Sequence, residues 1–150
     1  MWSLSTAKRA IIVAGCLAAA YLQFSTSPAT IAFARSLGAN GLHIGILGAL
    51  PTGMLFMQLL AAISVHYVHH RKPLWFWVAV LQRLVLLPAA LGPWLWPDLP
   101  PAMWVTLLLS ATATNHAMMH FTTPLWLSWM GDYLPHRGLS RYWGVRELCM

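Results

Sequence analysis

Acidic side chains are nearly absent: Asp98, Asp132 and Glu147 are the only three in 150 residues, and charged residues of both signs make up 8%. Ordinary globular domains carry roughly 25%. So few charges cannot cover a water-facing surface. With 59% of its residues hydrophobic, the chain reads as one whose solvent is mostly lipid. Cysteine is scarce as well. Cys16 lies in an apolar run and Cys149 beside the last residue, which leaves neither a disulfide framework nor a cysteine metal site. The formal charge of +6 and the pI near 10.0 suit nucleic acid only if the basic residues form a patch on a folded surface. They fall between apolar runs instead, so no nucleic-acid partner is expected.

What is present in quantity is hydrophobic length. A helix needs about 20 apolar residues to cross the roughly 30 Å hydrocarbon layer. Four stretches qualify, at about 10–34, 44–65, 74–96 and 102–127, after a short N-terminal segment 1–9 and before a polar closing stretch 128–150. The fold class predicted is therefore all-α and polytopic, with four transmembrane helices joined by short connections. Lys8, Arg9, Arg71, Lys72, Arg137, Arg141 and Arg146 all fall on one side if the spans alternate, against Arg35 alone on the other, which predicts a cytoplasmic N-terminus and closing stretch; the membrane expected is the cytoplasmic (inner) one. Trp75, Trp77, Trp94, Trp96, Trp104, Trp126 and Trp129 lie near span ends, at headgroup level. Lys8-Arg9 before an apolar run imitates a secretory signal, and Val13-Ala14-Gly15-Cys16 imitates a lipoprotein box. The sequence stays apolar from Leu17 onward, so the first span reads as uncleaved.

Several features inside the spans stand out. Gly41, Gly45, Ala49 and Gly53 recur every four residues on one helical face, a stripe that lets another helix backbone approach. Pro28, Pro51, Pro88, Pro93 and Pro124 each remove a backbone donor, which predicts bent helices around a cavity. The first span carries Gln23, Ser25 and Ser27 in its middle, and the fourth carries Thr112, Thr114, Asn115, His116 and His120. Polar groups at membrane depth are costly unless they face protein or water, so they are functional candidates. Serine and threonine have the plainer alternative of bonding to their own helix. Arg83 is the one permanent charge deep in a span and needs carbonyls, a counter-charge or a water-filled cavity.

The histidines raise an enzyme alternative. His66-Tyr67-Val68-His69-His70 spells HxxHH, and His116 with His120 spells HxxxH, spacings similar to the boxes of di-iron membrane desaturases. A third box is missing, the order is reversed, and the second pair falls within a span. No metal or other cofactor is expected, and no catalytic set emerges.

The stretch Met130-Gly131-Asp132-Tyr133-Leu134-Pro135, followed by Arg137, Arg141-Tyr142-Trp143-Gly144 and Arg146, resembles the loop between helices four and five of bacterial major facilitator superfamily transporters. There the loop often reads M-x-D-x-x-P-x-x-x-R-G-R-Y-x-G, and Leu139-Ser140 stand here in place of its Arg-Gly. Leu37-Gly38-Ala39 with Ile44-Gly45-Ile46-Leu47 and Leu50-Pro51 is similar to the first outer loop and second helix of the family. Arg71-Lys72-Pro73-Leu74 and Leu81-Gln82-Arg83-Leu84 are similar to its second loop and third helix, with His66 where an Asp is usual.

The resemblance implies a partial N-terminal half of that fold: helices one to four and the start of a truncated fifth. It implies alternating access for a small solute, with or without a coupling ion, across a partner half that is missing here. It makes Gln23, Ser25, Ser27, Arg83, Asn115, His116 and His120 candidates for the solute cavity. The Gly41–Gly53 stripe becomes a packing face toward the missing half. Asp132, Pro135, Arg137, Arg141, Tyr142 and Gly144 become a cytoplasmic loop motif. Span four lacks the arginine that marks many proton-coupled antiporters, so proton antiport is not implied. A chain of this form is expected to be inactive alone. The other reading is a small four-helix membrane subunit or adaptor.

Overall fold

The structure, a computed structural model, describes residues 4–68, 70–133 and 144. Among them every element is helical: α1 (Leu4–Thr26), α2 (Pro28–Ser36), α3 (Gly41–Gly53), a 3₁₀ turn (Met54–Phe56), α4 (Met57–Tyr67), α5 (Arg71–Leu84), α6 (Leu87–Leu95) and α7 (Pro101–Tyr133). α1 and the start of α2 belong to one compact unit, and Phe33–Tyr133 forms a second.

Three of the predicted spans are each assembled from two helices, and proline marks each join. Ser27 stands between α1 and α2, where its Oγ accepts the Ala29 N–H at 3.2 Å and Pro28 opens the new helix. Pro51 has no N–H for the Leu47 carbonyl, and three residues later the chain tightens into the 3₁₀ turn. Pro88 sits in the first turn of α6, just past the break at Val85–Leu86. Pro93 and Pro124, by contrast, lie within continuous helices.

The turn from α2 to α3 is fixed at both ends. Gly38 adopts φ +90°, a left-handed conformation that lets its own N–H reach the Arg35 carbonyl at 2.9 Å and the Ala39 N–H reach Ala34 at 3.0 Å. Asn40 then caps α3. Its Oδ1 accepts the His43 N–H at 3.0 Å, and His43 Nδ1 accepts the Asn40 N–H at 3.2 Å, a reciprocal box with histidine in the glutamate position.

Among the described residues, three stretches are long and apolar enough to cross a membrane: Ile11–Ser36, Gly41–Tyr67 and Arg71–Leu95. The expected fourth, α7, is long enough at 33 residues but not apolar enough by composition. Thr106, Ser110, Thr112, Thr114, Asn115, His116, His120, Thr122 and Thr123 are the reason. This polar helix is the center of the Phe33–Tyr133 unit, with α3, the 3₁₀ turn, α4, α5 and α6 all packed against it.

Small residues share the interior with larger ones such as Trp104, Leu108, Leu125 and Met130. Ala34, Ala61, Ala79, Ala89 and Ala111 are buried, whereas Leu55, Phe56, Leu59, Ile63, Trp77, Leu81 and Trp94 are exposed, the last by 91%. Ala34, Leu47, Ala89, Leu108 and Ala111 form one cluster, with Phe33, Leu50, Leu86 and Leu107 against it. Where α6 passes α7, a Cβ added at Gly92 would run into the Trp104 ring. Close backbone approach through small side chains, with many large apolar ones left on the outside, is an arrangement that a lipid solvent favors.

Candidate functional site

Polar residues of α7 divide between two faces: Thr106, Ser110 and Thr123 are exposed, and a second set turns inward. Thr112, Asn115, His116, His120 and Thr122 are buried, and Gln82 of α5 is buried with them. The threonines settle their hydroxyls locally: Thr112 Oγ1 donates to Leu108 at 2.7 Å and Thr122 Oγ1 to Met119 at 3.0 Å, both carbonyls of the same helix. His120 does not. Its Nε2 lies 2.8 Å from the Pro51 carbonyl, and its Nδ1 lies 3.2 Å from Gln58 Nε2. A carbonyl only accepts, so Nε2 carries the proton and donates to Pro51. In the neutral ring Nδ1 is then the acceptor, and the Gln58 amide donates to it.

One imidazole thus ties α7 to α3 and α4 on both sides of the 3₁₀ turn. His116, one turn earlier, is 2% exposed, and its Nδ1 is buried with no hydrogen-bond partner among the described residues. On neighboring turns of α7, Thr114, Met118 and Phe121 join Met54, Met57 and Val78 around an apolar cavity of about 480 Å³. Three methionines line it, and their unbranched thioethers adapt to irregular contents.

The remaining sequence candidates lie elsewhere. Gln23 is exposed on α1. Ser25 Oγ donates to the Tyr21 carbonyl at 2.9 Å and lies 3.2 Å from that of Leu22, and Ser27 Oγ donates to Phe24 at 3.4 Å. These serines serve the α1–α2 join. Arg83 is exposed, and its Nη1 donates to the Ala79 carbonyl at 2.8 Å. Its neighbor Gln82 is the polar side chain that α5 buries. Gly41, Gly45, Ala49 and Gly53 line an exposed face, and a Cβ added at the three glycines would meet nothing. In the loop motif, Gly144 is exposed; Pro135, Arg137, Arg141, Tyr142 and the Asp132 side chain lie outside the described residues.

Among the described residues, no three metal-ligating side chains come together. Gln58 and Gln82 are the members that sequence reasoning did not single out. Each is an amide in an apolar run, the same signal that drew attention to Gln23. No protein-family profile, curated protein or solved structure matches the chain.

Proposed function

We propose that the chain is the N-terminal portion of a major facilitator-type secondary transporter, which moves a small solute across the cytoplasmic membrane by alternating access. The observation that carries this reading is the buried polar face of α7, above all His120 bridged to Gln58 and to the Pro51 carbonyl. A membrane helix bearing Asn115, His116 and His120 is tolerable only where protein or an internal cavity encloses it. The enclosure also lets α7 cross as a fourth span despite its polarity.

The described donors and acceptors are amides, hydroxyls and imidazoles near a methionine-lined cavity, a combination that suits a small solute with an apolar body recognized by hydrogen bonds. The 3₁₀ turn supplies a hinge in the second span, and His120 grips it from α7. The open face of Gly41, Gly45, Ala49 and Gly53 is where a second half of the transporter would pack. Lys8, Arg9, Arg71 and Lys72, which share one side if the spans alternate, support a cytoplasmic N-terminus.

The same open face supports a second reading, a membrane subunit that docks a partner helix there. The two separate by experiment. The transporter reading expects coding sequence for further apolar spans downstream of residue 150. It also expects cells expressing the longer product to accumulate or expel at least one radiolabeled small solute with an apolar body and hydrogen-bonding groups, with Asn115→Ala slowing flux ten-fold or more at equal expression. Coding sequence without such spans in any frame would contradict it.

A further inference from the structure

Where the stretch Gly41–Tyr67 gives way to Arg71–Leu95, a cavity of about 500 Å³ opens at the α4–α5 turn. Among the described residues its wall carries His66, His70, Arg71 and Lys72, with Pro73 and Trp129 beside them, and no carboxylate. The cationic groups are held in place. Arg71 Nη1 donates to Ser128 Oγ at 2.6 Å, which fastens the first turn of α5 to α7. Lys72 Nζ lies 5.5 Å from the center of the Trp129 ring, and that ring packs 5.7 Å from Trp75. An ammonium over an indole face is attracted by the ring quadrupole, which fixes its position without neutralizing its charge. No side chain caps the first turn of α5, so the positive end of that helix adds to the same wall.

A guanidinium, an ammonium and two imidazoles around one small cavity call for a ligand with negative charge and several acceptor oxygens. Phosphate meets both demands. Depth supplies the second argument. The cavity lies at the junction of two candidate spans, and Trp75 and Trp129 mark the level where amphipathic rings meet lipid headgroups. Basic pockets at that level between membrane helices suit phospholipid headgroups. We propose that the α4–α5 turn forms a phosphate-binding site, with Arg71 and Lys72 as its principal contacts and His66 and His70 completing it. Only a lipid source for that phosphate rests on the membrane reading; a free phosphate would use the same contacts.

The protein in neutral detergent, mixed with phosphatidylglycerol or with phosphatidylcholine of identical acyl chains, reports retained lipid by native mass spectrometry. Phosphatidylglycerol should be retained about five-fold or more over phosphatidylcholine; Lys72→Gln should lower the preference by about five-fold, and Lys72→Arg should keep it. Ser128→Ala removes the Arg71 tether without removing charge and should leave the preference within about two-fold, with circular dichroism confirming the fold of each variant. Inorganic phosphate titrated in separates the sources: displacement of the lipid identifies the phosphate group alone as sufficient, and persistence identifies the whole headgroup, and both uphold the site. Equal retention of the two lipids with no phosphate binding would overturn it, as would a preference unchanged by Lys72→Gln and Arg71→Gln alike. A chain that stays in solution without detergent yet binds phosphate would contradict the membrane reading and leave the site standing.

Discussion

His120 reaches two helices at once, and its neighbor His116 reaches neither through Nδ1, although both belong to the same helix and the same sequence pattern. Truncating His120 leaves the Pro51 carbonyl and the Gln58 amide to find new partners away from water. His120→Ala is expected to lose about 1–3 kcal/mol of stability, whereas His116→Leu, which removes a buried group with an unmet nitrogen, should cost less. Thermal unfolding in detergent of the two variants side by side checks the order, and equal losses would contradict it. The sequence marks both histidines as unusual at membrane depth, because polarity in an apolar run is visible in one dimension. Which of them carries the tie is not visible, since the partners lie 62 and 69 residues away. Arg83 and Gln82 teach the same lesson. The charge draws the eye to Arg83, but consecutive helical residues face different directions, and Gln82 is the one that turns inward.

Elements in this protein are divided by proline and brought together by small residues. The sequence indicates where spans bend at Pro28, Pro51 and Pro88, since a missing donor acts locally. It does not show that Pro93 and Pro124 would leave their helices continuous, because surrounding contacts decide whether a lost bond becomes a break. The small-residue periodicity of Gly41, Gly45, Ala49 and Gly53 is likewise legible, yet the tight crossing falls at Gly92 against Trp104, a pairing that needs the three-dimensional neighbor. Gly92→Ala should force α6 and α7 apart or shift the indole, at a cost of about 1–3 kcal/mol. A denaturation midpoint equal to that of the natural sequence would contradict that crossing.

Across the whole molecule, the all-helical class and the long apolar stretches follow directly from composition. The departure is α7: the sequence predicts a fourth span there, but its polar residues keep its hydropathy below that of the three candidate spans. Under the proposed reading, burial of Thr112, Asn115, His116, His120 and Thr122 in the enclosure of the Phe33–Tyr133 unit is what would let so polar a helix enter a membrane. The central claim is that α7 crosses the bilayer within that enclosure. Labeling single cysteines with a membrane-impermeant maleimide in intact and inside-out vesicles, with Cys16 and Cys149 replaced by serine, tests it most directly. Leu99→Cys lies before α7 and Gly131→Cys near its end; His70→Cys marks the α4–α5 turn. The account expects Leu99→Cys to react only from the outer face, and Gly131→Cys and His70→Cys only from the cytoplasmic face. Reaction of Leu99→Cys and Gly131→Cys from the same face would show that α7 does not cross, and the account would fail.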